Sequence, residues 1–148
     1  MTGIFEVITG FVGALGFGIL FNVRGKRLLA ASLGGLFSWA LFLLLGYLFP
    51  DEAVRYFIVS VAVSAYCEVM ARVMKTPTTT FLMTALIPLI PGSGLYYTMT
   101  NAVSGNMEAF TGRGMTTLSL ALALALGVVV TTVATSVVTK LALGKKKI

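Results

Sequence analysis

Long apolar runs separated by short polar punctuation dominate the chain. Runs over about Gly3 to Asn22, Leu28 to Phe49, Ala53 to Met74 and Met115 to Leu143 each approach or exceed the roughly 20 residues that cross a bilayer as a helix. The Leu-Ala alternation from Leu120 to Leu126 has period two. Both residues favour helix, however, and the run is too long for one strand. A fifth apolar run, from Thr78 to about Ser104, is interrupted by Pro88, Pro91, Gly92 and Gly94. Pro91 has no N–H for the carbonyl of Ile87 and its ring clashes there, so a continuous helix must break or kink. Ten residues from Thr78 to Ile87 rise about 15 Å, which places the break from Pro88 to Gly94 near mid-bilayer. The pattern predicts an all-α polytopic bundle of five transmembrane helices, the fourth broken, in a single integral membrane domain over residues 1–148.

The punctuation between runs is chemically legible. Pro50-Asp51-Glu52 ends one helix and opens the next, since proline stops a helix and carboxylates suit an N-terminus. The polar segment from Asn101 to Gly114 predicts an excursion from the membrane. Gly10, Gly13 and Gly16 in the first helix, and Gly34, Gly35 and Ser38 in the second, predict close helix approaches. Trp39 falls mid-helix, so packing within the bundle is expected. Asn22 is either an end-capping residue or a polar group on a transport path.

Two polar faces stand out. Ser60, Ser64, Glu68, Arg72 and Lys75 fall within an arc of about 120° on the third helix. A charge facing lipid near the bilayer centre costs at least about 2.5 kcal/mol, so this stripe should point into protein. Glu68 and Arg72 are then either a structural ion pair or a proton- or substrate-linked carboxylate with its partner. Thr131, Thr132, Thr135, Ser136 and Thr139 share a face of about 140° on the last helix. Their hydroxyls either bond their own or neighbouring backbone or line a polar path.

The break also has two readings. It is a kink that shapes the bundle, or the start of a second half-helix near Ser93, with Ser93 as N-cap. In the second case the amides after Gly92 offer a positive end to an anion such as a carboxylate, as in the discontinuous helices of transporters.

Composition supports the membrane assignment: 57% of the 148 residues are hydrophobic and 11% charged, against about 25% charged in soluble domains. The net charge of +6 reads by position. Arg24, Lys26, Arg27, Arg72, Lys75, Lys140, Lys145, Lys146 and Lys147 fall on one side; Arg55 and Arg113 fall on the other. The positive-inside rule then places the N-terminus outside and the C-terminus in the cytoplasm. Lys145 to Lys147 also suit a membrane-surface anchor. The asymmetry reflects topology rather than nucleic acid binding. No positive n-region precedes the first run, which reads as a retained helix rather than a signal peptide. With no His and a single cysteine, Cys67, neither a metal site nor a cofactor is expected. The scattered carboxylates form no catalytic constellation.

Three blocks carry a resemblance: Phe17-Gly18-Ile19-Leu20-Phe21-Asn22; Glu68-x-x-x-Arg72-x-x-Lys75-x-Pro77-x-x-x-Phe81; and Ile87-Pro88-Leu89-Ile90-Pro91-Gly92-Ser93-Gly94-Leu95-Tyr96-Tyr97. Together they resemble the C-terminal half of bacterial threonine/serine exporters, which is often a separate small subunit encoded beside a larger membrane partner. The resemblance covers roughly the first four predicted helices. It implies export of small carboxylate metabolites, either hydroxy amino acids or dicarboxylates such as succinate, driven by the proton motive force across a bacterial inner membrane. It also implies a larger partner subunit or a homo-oligomer. On this reading Pro91, Gly92, Ser93, Gly94, Tyr96, Tyr97 and Asn22 are candidate substrate contacts, and Glu68, Arg72 and Lys75 candidate coupling groups. The competing expectations are a non-transporting scaffold subunit and a small uncoupled channel.

Overall fold

The computed structural model describes residues 2–144. The expected basic anchor, Lys145 to Lys147, lies outside the described residues. Six α-helices follow one another: α1 (Thr2–Leu20), α2 (Lys26–Gly46), α3 (Glu52–Val73), α4 (Thr78–Leu86), α5 (Gly92–Val103) and α6 (Met107–Gly144). A 3₁₀ turn, Ile87–Leu89, joins α4 to the break. Four helices are long and apolar enough to cross a membrane, and α4 with α5 makes a fifth, bent span.

Local chemistry sets the helix ends. Asp51 Oδ1 accepts from the N–H groups of Ala53 at 2.8 Å and Val54 at 3.2 Å, capping α3 as its side chain predicts. Asn22, Lys75 and Gly105 adopt φ of +58°, +49° and +76°. Each is the left-handed residue that closes a helix. The next N–H reaches back five residues: Val23 to Gly18 at 2.9 Å, Thr76 to Ala71 at 3.0 Å, and Asn106 to Asn101 at 3.0 Å. This is the Schellman pattern, and it gives Asn22 the backbone conformation of an end-capping residue.

The last helix starts earlier than the expected Met115, within the segment from Asn101 to Gly114. Only Ser104 to Asn106 is non-helical, and α6 starts at Met107. Asn106 Oδ1 accepts from Ala109 N–H at 3.1 Å, capping α6. The hydroxyls of Thr111 and Thr116 fold back onto the carbonyls of Met107 and Gly112, so polarity here does not end the helix. At 38 residues, α6 is about 57 Å long, well beyond a bilayer's hydrocarbon thickness.

Small residues decide the packing on α2. A β-carbon on Gly35 would collide with Ala14 of α1, and one on Gly34 would lie 2.8 Å from the β-carbon of Ala85 in α4. Thus α2 closes against α1 on one side and α4 on the other. The glycines of α1 are used unevenly. Gly10 lies against Trp39 and the Gly35 carbonyl, whereas Gly13 and Gly16 face open space. Trp39 stacks on Phe42 with ring centroids 5.5 Å apart. Tyr66 of α3 ties back to α2 by donating to the Ala30 carbonyl at 2.8 Å.

The relation of α3 to α6 settles how the broken helix crosses. Glu52 and Arg113 line one cleft; Gly127 abuts Ser60; Thr131 Oγ1 donates to the Val61 carbonyl at 3.3 Å; and Arg72 Nη2 donates to Thr139 Oγ1 at 3.0 Å. Residue numbers rise together along both helices, so α3 and α6 are parallel. The chain between them must therefore travel from one end of the bundle to the other. Had α4 and α5 doubled back, α6 would run antiparallel to α3. The two halves of this crossing are bent by 61°. Whereas α4 packs against α2 and α3, α5 packs chiefly on α6 among the described residues, and none of its residues is buried.

A candidate substrate cleft beside the helix break

The break is built from backbone groups that the prolines leave unpaired. Pro88 and Pro91 cannot donate to the carbonyls of Thr84 and Ile87. Ile90 N–H takes the Ile87 carbonyl instead, at 3.1 Å, and closes the 3₁₀ turn. Pro91 has φ −73° and ψ 63°, an inverse γ-turn, and Gly92 N–H bonds the Ile90 carbonyl across it at 2.7 Å. The first α-helical bond of α5 is Leu95 N–H to the Pro91 carbonyl, 3.1 Å. The N–H groups of Ser93 and Gly94 lie in this first turn, where the helix itself supplies no acceptor. Ser93 is not the cap expected of it: Pro91 holds that position, and no side-chain bond caps α5.

These residues open onto a cleft of about 340 Å³ lined by Pro91, Ser93, Gly94 and Tyr97 of the break and by Glu52, Tyr56, Arg113, Thr116 and Thr117 of α3 and α6. The contact between α5 and α6 is close. A β-carbon on Gly94 would lie 2.6 Å from Thr117 Oγ1, and one on Gly114 would lie 3.3 Å from Thr98. The Arg113 guanidinium sits over the Tyr97 ring, 5.2 Å from its centroid, a placement that steadies the cation. The hydroxyls of Thr116 and Thr117 donate to the carbonyls of Gly112 and Arg113. Their oxygens retain accepting capacity. Together the residues that line the cleft carry a guanidinium, a carboxylate, several hydroxyls and the first-turn amides of α5.

The expected site residues divide. Pro91, Ser93, Gly94 and Tyr97 meet in the cleft. Gly92 faces open space and serves the turn. Tyr96 is 66% exposed and lines a separate groove with Met99 and Val103. Asn22 caps α1, and Lys75 ends α3 in its left-handed turn. Only part of the stripe meets protein, at α6 rather than at the break: Ser60 abuts Gly127 and Glu68 is half-buried, whereas Arg72 and Lys75 are exposed. Ser60 and Ser64 are buried. Glu68 and Arg72 form an ion pair at 3.7 Å in a second cleft of about 280 Å³, with Thr132, Thr135, Ser136, Thr139 and Lys140. Glu68 and Tyr56 are twelve residues apart on α3, which separates the two clefts by about 18 Å along the helix.

Glu52, Tyr56, Arg113, Thr116 and Thr117 escaped the sequence reading. One signal existed for Arg113: with Arg55, it is one of two basic residues on the side otherwise poor in them. What places it beside Ser93 is the antiparallel hairpin of α5 and α6, a tertiary contact.

No curated protein and no solved structure matches the chain. The family model described as "Threonine/Serine exporter, ThrE" matches residues 6–134, which spans all of α1 to α5 except the first residues and most of α6. The protein is thus a multi-pass membrane protein that belongs to the threonine/serine exporter family.

Proposed function

We propose that the chain is one component of a secondary exporter for small carboxylate metabolites, working with a larger membrane partner and driven by the proton motive force. The observation that carries this reading is the cleft at the break, where Arg113 and the N-terminal amides of α5 converge. A carboxylate takes charge-assisted bonds from both kinds of donor. The substrate is a hydroxy amino acid such as threonine or serine, or a dicarboxylate such as succinate.

Alternating access then turns on the 61° bend: α4 is held by α2 and α3, and α5 moves with α6. Glu68 takes or releases the proton in the second cleft, with Arg72 opposite it. Because the clefts are about 18 Å apart, coupling passes through α3 and α6 rather than through direct contact with the substrate. The nine basic residues of one face orient the C-terminus to the cytoplasm.

Uptake into inverted membrane vesicles tests the reading. Glu68→Gln is expected to leave substrate exchange intact and abolish dependence on the proton gradient. A Glu68→Gln protein that still couples transport to the gradient removes Glu68 from the mechanism. Flux that persists with no gradient in the unaltered protein would favour an uncoupled channel.

A further inference from the structure

The break cleft holds two opposite charges that do not meet. Glu52 and Arg113 both line it, yet among the described residues the one ion pair within 4.0 Å is Glu68 with Arg72. Glu52 comes from the first position of α3 and Arg113 from the second turn of α6, so two different helices hold them. Arg113 is further restrained by the Tyr97 ring. Opposite charges left apart in a cleft of this size match a ligand that carries both signs on neighbouring atoms.

We infer that Glu52 is the specificity-determining residue of this cleft: it receives an ammonium group while Arg113 and the amides of Ser93 and Gly94 receive a carboxylate. The site therefore takes α-amino acid zwitterions and rejects dicarboxylates. A second carboxylate in the ammonium position would face Glu52, and like charges at close range are costly. Thr116 and Thr117 have committed their hydroxyl protons to their own helix. Their oxygens remain as acceptors for a donor on the cargo, either the ammonium or a side-chain hydroxyl. The inference rests on the cleft being the substrate site.

Uptake of labelled L-threonine into inverted vesicles, from cells carrying the gene at its own locus, tests it. The competitors are unlabelled L-threonine, N-acetyl-L-threonine (no ammonium), L-threoninamide (no carboxylate) and succinate. In the unaltered protein, L-threonine should compete about tenfold or more better than any of the other three, the loss expected from one charged hydrogen bond. Glu52→Gln should weaken L-threonine by about tenfold and leave N-acetyl-L-threonine unchanged, so that their ratio collapses. Glu52→Asp should keep the preference, and Glu52→Lys should make succinate the better competitor. Glu52 is exposed, so these changes do not disturb the core, and immunoblotting normalises the amount of protein. If Arg113→Gln weakens all carboxylate ligands while Glu52→Gln leaves the ratio unchanged, the ammonium assignment is wrong and the cleft stands. If the unaltered protein takes up succinate rather than threonine, the zwitterion inference is wrong and the cleft stands; if neither variant alters uptake or any competitor, the cleft reading falls with it.

Discussion

Gly94 and Gly92 stand two residues apart and have opposite structural duties. A side chain at Gly94 would run into Thr117, whereas one at Gly92 would meet nothing within 4 Å. Gly94→Leu is therefore expected to abolish vesicle uptake, and Gly92→Leu to leave it within about twofold of normal, since exposed substitutions away from special contacts rarely matter. Equal effects of the two changes would show that α5 does not need its close approach to α6. Arg113→Gln should lower uptake by about tenfold or more, the scale of one charged hydrogen bond. Lys75 makes a different kind of prediction. It sits at φ +49°, where a β-carbon is unfavourable. Lys75→Gly should stabilise the protein by about 1 kcal/mol, read as a higher melting temperature in detergent. A lower melting temperature would mean that the lysine side chain contributes more than its backbone strain costs.

At the scale of elements, most helices could be read along the chain because apolar length and capping chemistry are local. Asp51 shows it: its position before Glu52 predicts a helix start, and its carboxylate makes the two capping bonds. Asp51→Ala should cost about 1 kcal/mol of stability, measurable by thermal unfolding, and a change below a few tenths would mean that the cap is redundant. The start of α6 was less legible. Polarity between Asn101 and Gly114 reports where the chain meets water, and helix formation continues regardless once Asn106 caps the first turn. The start of α5 has the same character: the break was visible from two prolines, but its γ-turn and 61° bend depend on which neighbours hold each half.

For the whole molecule, the parallel pairing of α3 with α6 ties the site to the topology. Glu52 and Arg113 can share a cleft only because both helices begin at the same end of the bundle, and this in turn requires α4 and α5 to complete one crossing. The same geometry leaves α5 leaning chiefly on α6 among the described residues. In the proposed assembly, the larger partner covers the outer face of α5. Purification of the chain in mild detergent from its native membrane should therefore bring a second membrane protein in a fixed ratio. Recovery of the chain alone, with full transport in proteoliposomes, would place the whole exporter in this one subunit.

Read as sequence, the chain already determined its class: apolar lengths, a proline–glycine break and lopsided basic residues dictate a membrane bundle with an interrupted helix, because hydrocarbon thickness and backbone hydrogen bonding act on each segment separately. It also determined that Ser93, Gly94 and Tyr97 belong near that break. Only the tertiary structure decided what faces them. Glu52, Tyr56, Arg113 and Thr117 lie between nineteen and forty-two residues from Gly94 in sequence, and their convergence depends on the register of α3 and α5 against α6. That register is set by contacts such as Gly127 on Ser60 and Gly94 on Thr117. The same register carries Glu68 to a separate cleft, a distinction that no periodicity along one helix can express.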